Sequence, residues 1–302
     1  MSRIFDALRK AGGEAADLTM PWIAEQPVIP AEPDAGPPPA APAMPALAAS
    51  GDSRAASAGL GLEIRTARVR LPAGAPLLPF DGAHLRAAEQ YRIIRTKVLQ
   101  HPAQPRVLVV SSAMAGDGKT VSAVNLAGAL ALKDDVNVLL VDGDFRRSTI
   151  ADLLGIEEAP GLAEVLSGAC PLHQAIVRIE QFPNLYVLPG GKAGPNATEL
   201  LDSPAWRATS AVFRKQFKFT ILDSPPIAAV ADFDLLQASA DSVIVVIRPD
   251  HTDRTLCYKA IQTISPTKLL GVVLNCSERW FLWKTHDYYY YSNETQERCI
   301  QT

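Results

Sequence analysis

The sequence predicts an α/β fold, a mainly parallel sheet flanked by helices, and three observations carry that expectation. Apolar runs of strand length recur at 107–110, 138–141, 185–188, 220–222, 242–247 and 269–274, with helical pattern between most of them. A glycine-punctuated turn at 111–120, SSAMAGDGKT, joins the first run to a helical segment that begins in GKT. Two further runs end in aspartates, NVLLVDGDFRR at 137–147 and FKFTILDSPP at 217–226. Residues that follow parallel strands collect at one edge of a sheet, so the turn and the acids are expected side by side.

Taken in order, residues 1–15 are expected to form a short amphipathic helix, with Ile4, Phe5 and Leu8 on one face and Gly12 and Gly13 closing it. Alone in water a helix of about ten residues is marginal, so a partner surface or a membrane interface is expected to order it. Residues 16–78 read as a disordered Pro/Ala-rich linker, with Pro37, Pro38, Pro39, Pro42 and Pro45 and few large apolar side chains to offset chain entropy. Residues 79–285 are long enough for a packed α/β core, opened by a helix at 83–100 whose Leu85, Ala88, Tyr91, Ile94 and Val98 follow helical spacing. A tail, 286–302, carries four adjacent tyrosines, Tyr288, Tyr289, Tyr290 and Tyr291, a run that suits neither one helix face nor one strand face.

The residue types in the turn explain a phosphate site. Gly116 and Gly118 let the backbone curl so that successive amides aim at one point, and the following helix adds its positive end. The backbone from Ala115 through Gly116, Asp117, Gly118, Lys119, Thr120 and Val121 is the expected nucleotide cradle. Lys119 would reach the β and γ phosphates, and Thr120 would offer a hydroxyl to Mg²⁺, a cation that shares hard oxygen ligands with the phosphates of ATP. Against the pattern GxxxxGK[ST], Ala113 replaces the first glycine. Asp142, Asp144 and Asp223 are expected to converge on the same phosphate chain, Asp223 holding the metal through water and Asp144 supporting its shell. Arg146 and Arg147 read either as phosphate partners or as a solvated helix start.

The 302 residues carry a formal net charge of −3 and a pI near 6.0, which gives no general attraction to nucleic acid or anionic lipid. No apolar run approaches the roughly 20 residues that cross a bilayer, and the N-terminus lacks the apolar core of a secretory signal. Cys170, Cys257, Cys276 and Cys299 are scattered without a CxxC pair, so neither a zinc site nor a disulfide framework is indicated, and a reducing cytoplasm is the expected compartment.

GDGKT, then LLVDGDFRR, then ILDSPP resembles the Walker A, A′ and B series of the bacterial tyrosine kinases, the cytoplasmic autokinases of polysaccharide assembly, which belong to the MinD/ParA-like group of P-loop NTPases. Glu89, Arg92 and Arg95 in EQYRIIRT are similar to that family's ExxRxxR helix, which packs against a neighbouring subunit. PGLAEVLSG at 160–168, LPGGKAGPNATELLDS at 188–203 and GVVLN at 271–275 extend the resemblance from about residue 83 to the C-terminus.

The resemblance implies catalysis by Lys119, Asp142, Asp144 and Asp223, with Asp142 orienting or deprotonating the incoming tyrosine hydroxyl, and Thr120, Asp144 and Asp223 serving Mg²⁺. It also implies Tyr288 to Tyr291 as phosphoacceptors, a homo-oligomeric ring built through Glu89, Arg92 and Arg95, and a tyrosine phosphatase as counterpart. A separate membrane-spanning chain-length regulator, whose cytoplasmic tail activates the kinase, would bring it to the inner face of the cell membrane. Two positions depart from the family pattern, Ala115 and Ser148, where proline is common; neither substitution removes a phosphate or metal ligand. Two other functions compete: a spatial-organising ATPase of the MinD/ParA kind, whose extra lysine is missing from 112–114, and a non-catalytic nucleotide-binding docking subunit. WFLW at 280–283 keeps an aromatic partner surface open as the alternative use of the tyrosine run.

Overall fold

The computed structural model describes residues 64–71, 85–249 and 251–276. The expected N-terminal helix, most of the linker, WFLW and Tyr288 to Tyr291 lie outside these residues. Strands β1 (Arg65–Ala67), β2 (Val107–Ser112), β3 (Val138–Asp142), β4 (Val177–Ile179), β5 (Phe182–Leu188), β6 (Phe219–Asp223), β7 (Ser242–Ile247) and β8 (Leu269–Leu274) form one sheet. Their spatial order is β1-β4-β5-β3-β6-β2-β7-β8, and every neighbouring pair is parallel except β4 with β5. The helices are α1 (Leu85–Leu99), α2 (Lys119–Ala131), α3 (Ile150–Leu154), α4 (Leu162–Leu166), α5 (Leu172–Ala175), α6 (Ala197–Asp202), α7 (Pro204–Gln216), α8 (Asp232–Ala238) and α9 (Arg254–Gln262).

The central strands are apolar on both faces because both faces are covered. Val107, Val109, Leu139, Val141, Leu222, Val243 and Val245 point to one side, against Trp206 and Phe213 of α7, Phe233 and Leu236 of α8, and Ala260 and Ile261 of α9. The alternate residues Leu108, Val110, Val138, Leu140, Ile221, Ile244 and Val246 point to the other, against Ala123, Val124, Leu126, Ala127 and Leu130 of α2. Helix α1 lies over α2, with Tyr91, Ile94 and Val98 joining that second core. The Tyr91 hydroxyl donates to Ser122 Oγ at 3.2 Å, and burial pushes its phenol above the usual range.

All six strands read from the sequence are present, and the linker boundary needs correction. Residues 65–67, expected to be disordered, form β1 at the sheet edge, paired in parallel with β4. The side-chain amide of Gln181 then continues the pairing like a strand, accepting from Val69 N at 3.1 Å and donating to Val69 O at 3.0 Å. The physical reason is the alternation in RTARVRL, which sends Ala67, Val69 and Leu71 to the apolar core. The Pro/Ala composition ends before it. Strand β4, also unread in the sequence, is too short at three residues to show a period.

Candidate active site

The turn between β2 and α2 has the shape its glycines promised. Gly116 and Gly118 hold φ of 90° and 89°, the left-handed region where a side chain is strained, and Gly118 is the residue before the first turn of α2. A Cβ on Gly118 would also collide with the Asn275 side chain.

Register places the acids. Asp142 and Asp223 end β3 and β6 as direct cross-strand partners, and Val110 of β2 lies beside Asp223 on the other side. Lys119 Nζ reaches into this end of the sheet, 2.8 Å from Asp144 Oδ2, 3.3 Å from Asp223 Oδ2 and 3.1 Å from Thr120 Oγ1. The Thr120 hydroxyl donates to Asp223 Oδ2 at 2.6 Å. Lys119, Thr120, Asp144 and Asp223 therefore form one cluster, as the sequence predicts. Burial opposes charge on Lys119, but Asp223 and Asp144 outweigh it and hold the ammonium above its ordinary range.

Asp223 is fully buried, and burial pushes its carboxyl up to about 7 against the pull of Lys119, with Asp142 adding to the rise. Its second oxygen, Oδ1, is buried and has no hydrogen-bond partner among the described residues. A buried carboxylate oxygen left over beside a threonine hydroxyl suits a hydrated cation, so these residues fit the magnesium expected from the motif. Among the described residues no three His, Cys, Asp or Glu side chains assemble to hold a metal by themselves. A cation here would take much of its coordination from phosphate and water.

Asp142 has a different setting. Its Oδ2 accepts from Ser148 Oγ at 2.9 Å, Thr149 N at 3.0 Å and Ile150 N at 3.1 Å, and its Oδ1 accepts from Asp144 N at 3.2 Å. It thus ties the loop after β3 to the start of α3. Burial raises its pKa above the carboxylate range even so, the bonds from Ile150 and Ser148 opposing. Ser148 supplies one of those bonds.

Other predicted residues are placed less simply. The Asp117 carboxylate is fully buried and turned away from the cradle, so only its backbone is left to meet a phosphate. Val121 packs its side chain on the core, and Ala115 is exposed. Arg146 binds Asp232 Oδ2 at 3.0 Å and Thr198 Oγ1 at 3.0 Å, which ties it to α8 and α6. On α1, Glu89 and Arg92 pair with each other at 2.7 Å in the open, while Arg95 donates to Ala129 O of α2 at 3.2 Å. Thr252, His251 and Asn275, which contact Asp117, are not among the predicted site residues; His251 and Thr252 follow β7 and Asn275 follows β8 on the phosphate-loop edge, and Asn275 also closes the GVVLN segment.

A phosphate loop at the carboxyl edge of a parallel sheet, with lysine and threonine set against strand-terminal aspartates, defines a P-loop NTPase, and residues 105–266 match the AAA domain family. Tyrosine-protein kinase YwqD of Bacillus subtilis (strain 168) is 33% identical over 211 residues, 68% of this chain and 87% of that protein. Among solved structures, the chimerical protein CapA2B2 superposes with a TM-score of 0.64 at 28% identity, covering 74% of this chain and 97% of that one. The VpsO kinase domain superposes with a TM-score of 0.56 at 33% identity, covering 63% and 96%. The chain belongs to the bacterial tyrosine kinases: it is a nucleotide-binding protein-tyrosine kinase. No described helix is long and apolar enough to cross a membrane.

Proposed function

We propose that this kinase uses ATP and Mg²⁺ to phosphorylate the tyrosine cluster Tyr288 to Tyr291 of a neighbouring copy, and that this cycle regulates polymerisation and export of an exopolysaccharide or capsule. The observation that carries the phosphotransfer reading is the Lys119, Thr120, Asp144 and Asp223 cluster with its spare buried oxygen on Asp223. When bound, magnesium neutralises phosphate charge and lines up the transferred group. Thr120 and Asp223 would hold it, and Asp144 would support it.

The chain's own residues do the rest. Lys119 sits between Asp144 and Asp223 and would exchange part of that pairing for phosphate oxygens. Asp142 is the residue for the tyrosine hydroxyl: its raised pKa makes it a better proton acceptor than an ordinary carboxylate, which helps because a phenol with pKa near 10 is a poor nucleophile at neutral pH. Asp142 Oδ1 accepts a single bond, from Asp144 N, and keeps a lone pair for that hydroxyl.

The pair Glu89 and Arg92, exposed on α1 next to Arg95, supports assembly into a ring in which an adjacent subunit would meet them. The expected partners are a membrane-spanning chain-length regulator with an activating cytoplasmic tail, which would hold the kinase at the membrane, and a tyrosine phosphatase. Residues 1–15, most of 16–78, and 286–302 keep their proposed roles of short helix, linker and acceptor tail.

Mixing two variants of the full chain tests the transfer. Lys119→Met subunits with intact tyrosines are combined with active subunits in which Tyr288 to Tyr291 are Phe, and phosphotyrosine is read by mass spectrometry after Mg²⁺ and ATP. Phosphate on the Lys119→Met chain is the expected result. Phosphate absent from the mixture but present on wild-type chain would overturn transfer between subunits.

A further inference from the structure

Asp117 stands in the middle of the phosphate loop, where a free carboxylate would repel a nucleotide. It is instead buried and held from outside. Its Oδ1 accepts from the Thr252 hydroxyl at 2.6 Å and meets His251 Nδ1 at 3.1 Å, and its Oδ2 accepts from Met114 N at 3.1 Å across the loop. Its charge is felt by Cys257 of α9, whose thiol burial and Asp117 together push up.

The grip has its own framework. Thr252 Oγ1 also accepts from Arg248 N at 3.2 Å, and the backbone amides of His251 and Thr252 both donate to Arg248 O, so His251 and Thr252 are tied to Arg248 before Asp253 caps α9. From β8, Asn275 Nδ2 donates to the carbonyl of Asp117 at 2.9 Å, and Asn275 N is anchored on Ile247 O at 2.8 Å. The peptide between Asp117 and Gly118 is planar and trans, so a carbonyl held on the Asn275 side sends the Gly118 N–H the opposite way. Gly118 has no Cβ to obstruct Asn275.

We propose that Asp117 is a positioning residue of the phosphate cradle: Thr252 and His251 on its carboxylate, with Asn275 on its carbonyl, let the ends of β7 and β8 set the direction of the loop's amides. The side chain touches no nucleotide. It acts by removing the loop's freedom before a phosphate arrives, so loosening it costs binding and leaves the chemical step nearly intact once nucleotide saturates the site. The proposal rests on the nucleotide reading of the loop.

The test uses the full chain and three substitutions. Thr252→Val keeps the shape and removes the hydroxyl, Thr252→Ser keeps the hydroxyl, and Asp117→Asn removes the charge. A fluorescent ADP with Mg²⁺ reports affinity, phosphotyrosine formation gives KM for ATP and kcat, and thermal unfolding without nucleotide reports the fold. A bond to a charged partner leads us to expect that Thr252→Val weakens ADP and raises KM by about tenfold with kcat within about twofold, and that Thr252→Ser returns both to within about threefold. Equal ADP affinity in wild type and Thr252→Val overturns the proposal, as does equal impairment by Val and Ser. If Thr252→Val fails to fold, Asp117→Asn is judged by the same affinity and KM criteria. A wild-type protein that binds no ADP sinks the nucleotide reading as well, which separates the two failures.

Discussion

Replacing Asp223 with Asn should change how stability depends on pH in a direction that the site dictates. In the folded protein Asp223 keeps its proton up to about 7, against an ordinary value of 3.8, because burial penalises the charge more than Lys119 relieves it. Between those two values the folded state holds a proton that the unfolded chain has released, so stability falls as pH rises through the window and levels off above it. At about 1.4 kcal/mol per pH unit, the gap sets an upper limit of about 4 kcal/mol.

The raised Lys119 contributes stability that is fully present below its ordinary 10.5 and is lost only above it, so it is constant across this window. Asp142, also raised, acts in the same sense in both proteins and largely cancels in their difference. Urea unfolding of both nucleotide-free proteins from about pH 4.5 to about pH 8 measures that difference. Wild type should lose ground to Asp223→Asn steadily up to about pH 7. A difference that is flat, or that grows in favour of wild type, would refute the buried-carboxylate argument, whatever the variant does to activity.

Three further outcomes are expected. Lys119→Met should cut phosphotransfer by about 100-fold or more, and, because Asp144 and Asp223 lose their cation, it should also lower apo stability by a few kcal/mol, about the cost of breaking a buried pair; phosphotyrosine assays and urea unfolding read the two effects. Asp142→Asn should lose most phosphotransfer and cost about 1 to 3 kcal/mol, since its amide group cannot accept all four bonds that now anchor the loop before α3; retained activity would remove Asp142 from the acceptor role. Gly118→Ala should weaken ADP binding strongly and destabilise by about 1 to 2 kcal/mol, because the residue holds φ of 89° and its new Cβ meets Asn275; calorimetric titration and thermal unfolding check it.

The central layer of this fold is written in local pattern. Runs such as VLVV, VLLV and SVIVVI have no polar face to offer water, so they must be strands covered on both sides, and the acids and glycines that follow them must then gather at one edge. Lys119, Thr120, Asp142, Asp144 and Asp223 are all expected at that edge because each depends only on its distance from a strand end; Lys119, Thr120, Asp144 and Asp223 meet there, while Asp142 also binds the loop before α3. The two short strands at one side of the sheet were harder: β1 and β4 have three residues each, and β1 follows a segment whose Pro/Ala composition hides the alternation of Ala67, Val69 and Leu71.

How each polar group is used depends on the folded arrangement. The sequence places Asp117 in a phosphate loop; the fold turns its carboxylate toward His251 and Thr252, 134 and 135 residues away. It likewise commits Asp142 to the start of α3, Arg146 to Asp232 and Thr198, and Arg95 to Ala129, while leaving one oxygen of Asp223 without a partner among the described residues. The physical reason is that hydrophobic period and strand-end position are properties of neighbours in the chain. Hydrogen-bond satisfaction and burial depend on which distant elements the sheet order brings alongside, and β7 and β8 reach the phosphate loop only because β7 pairs with β2.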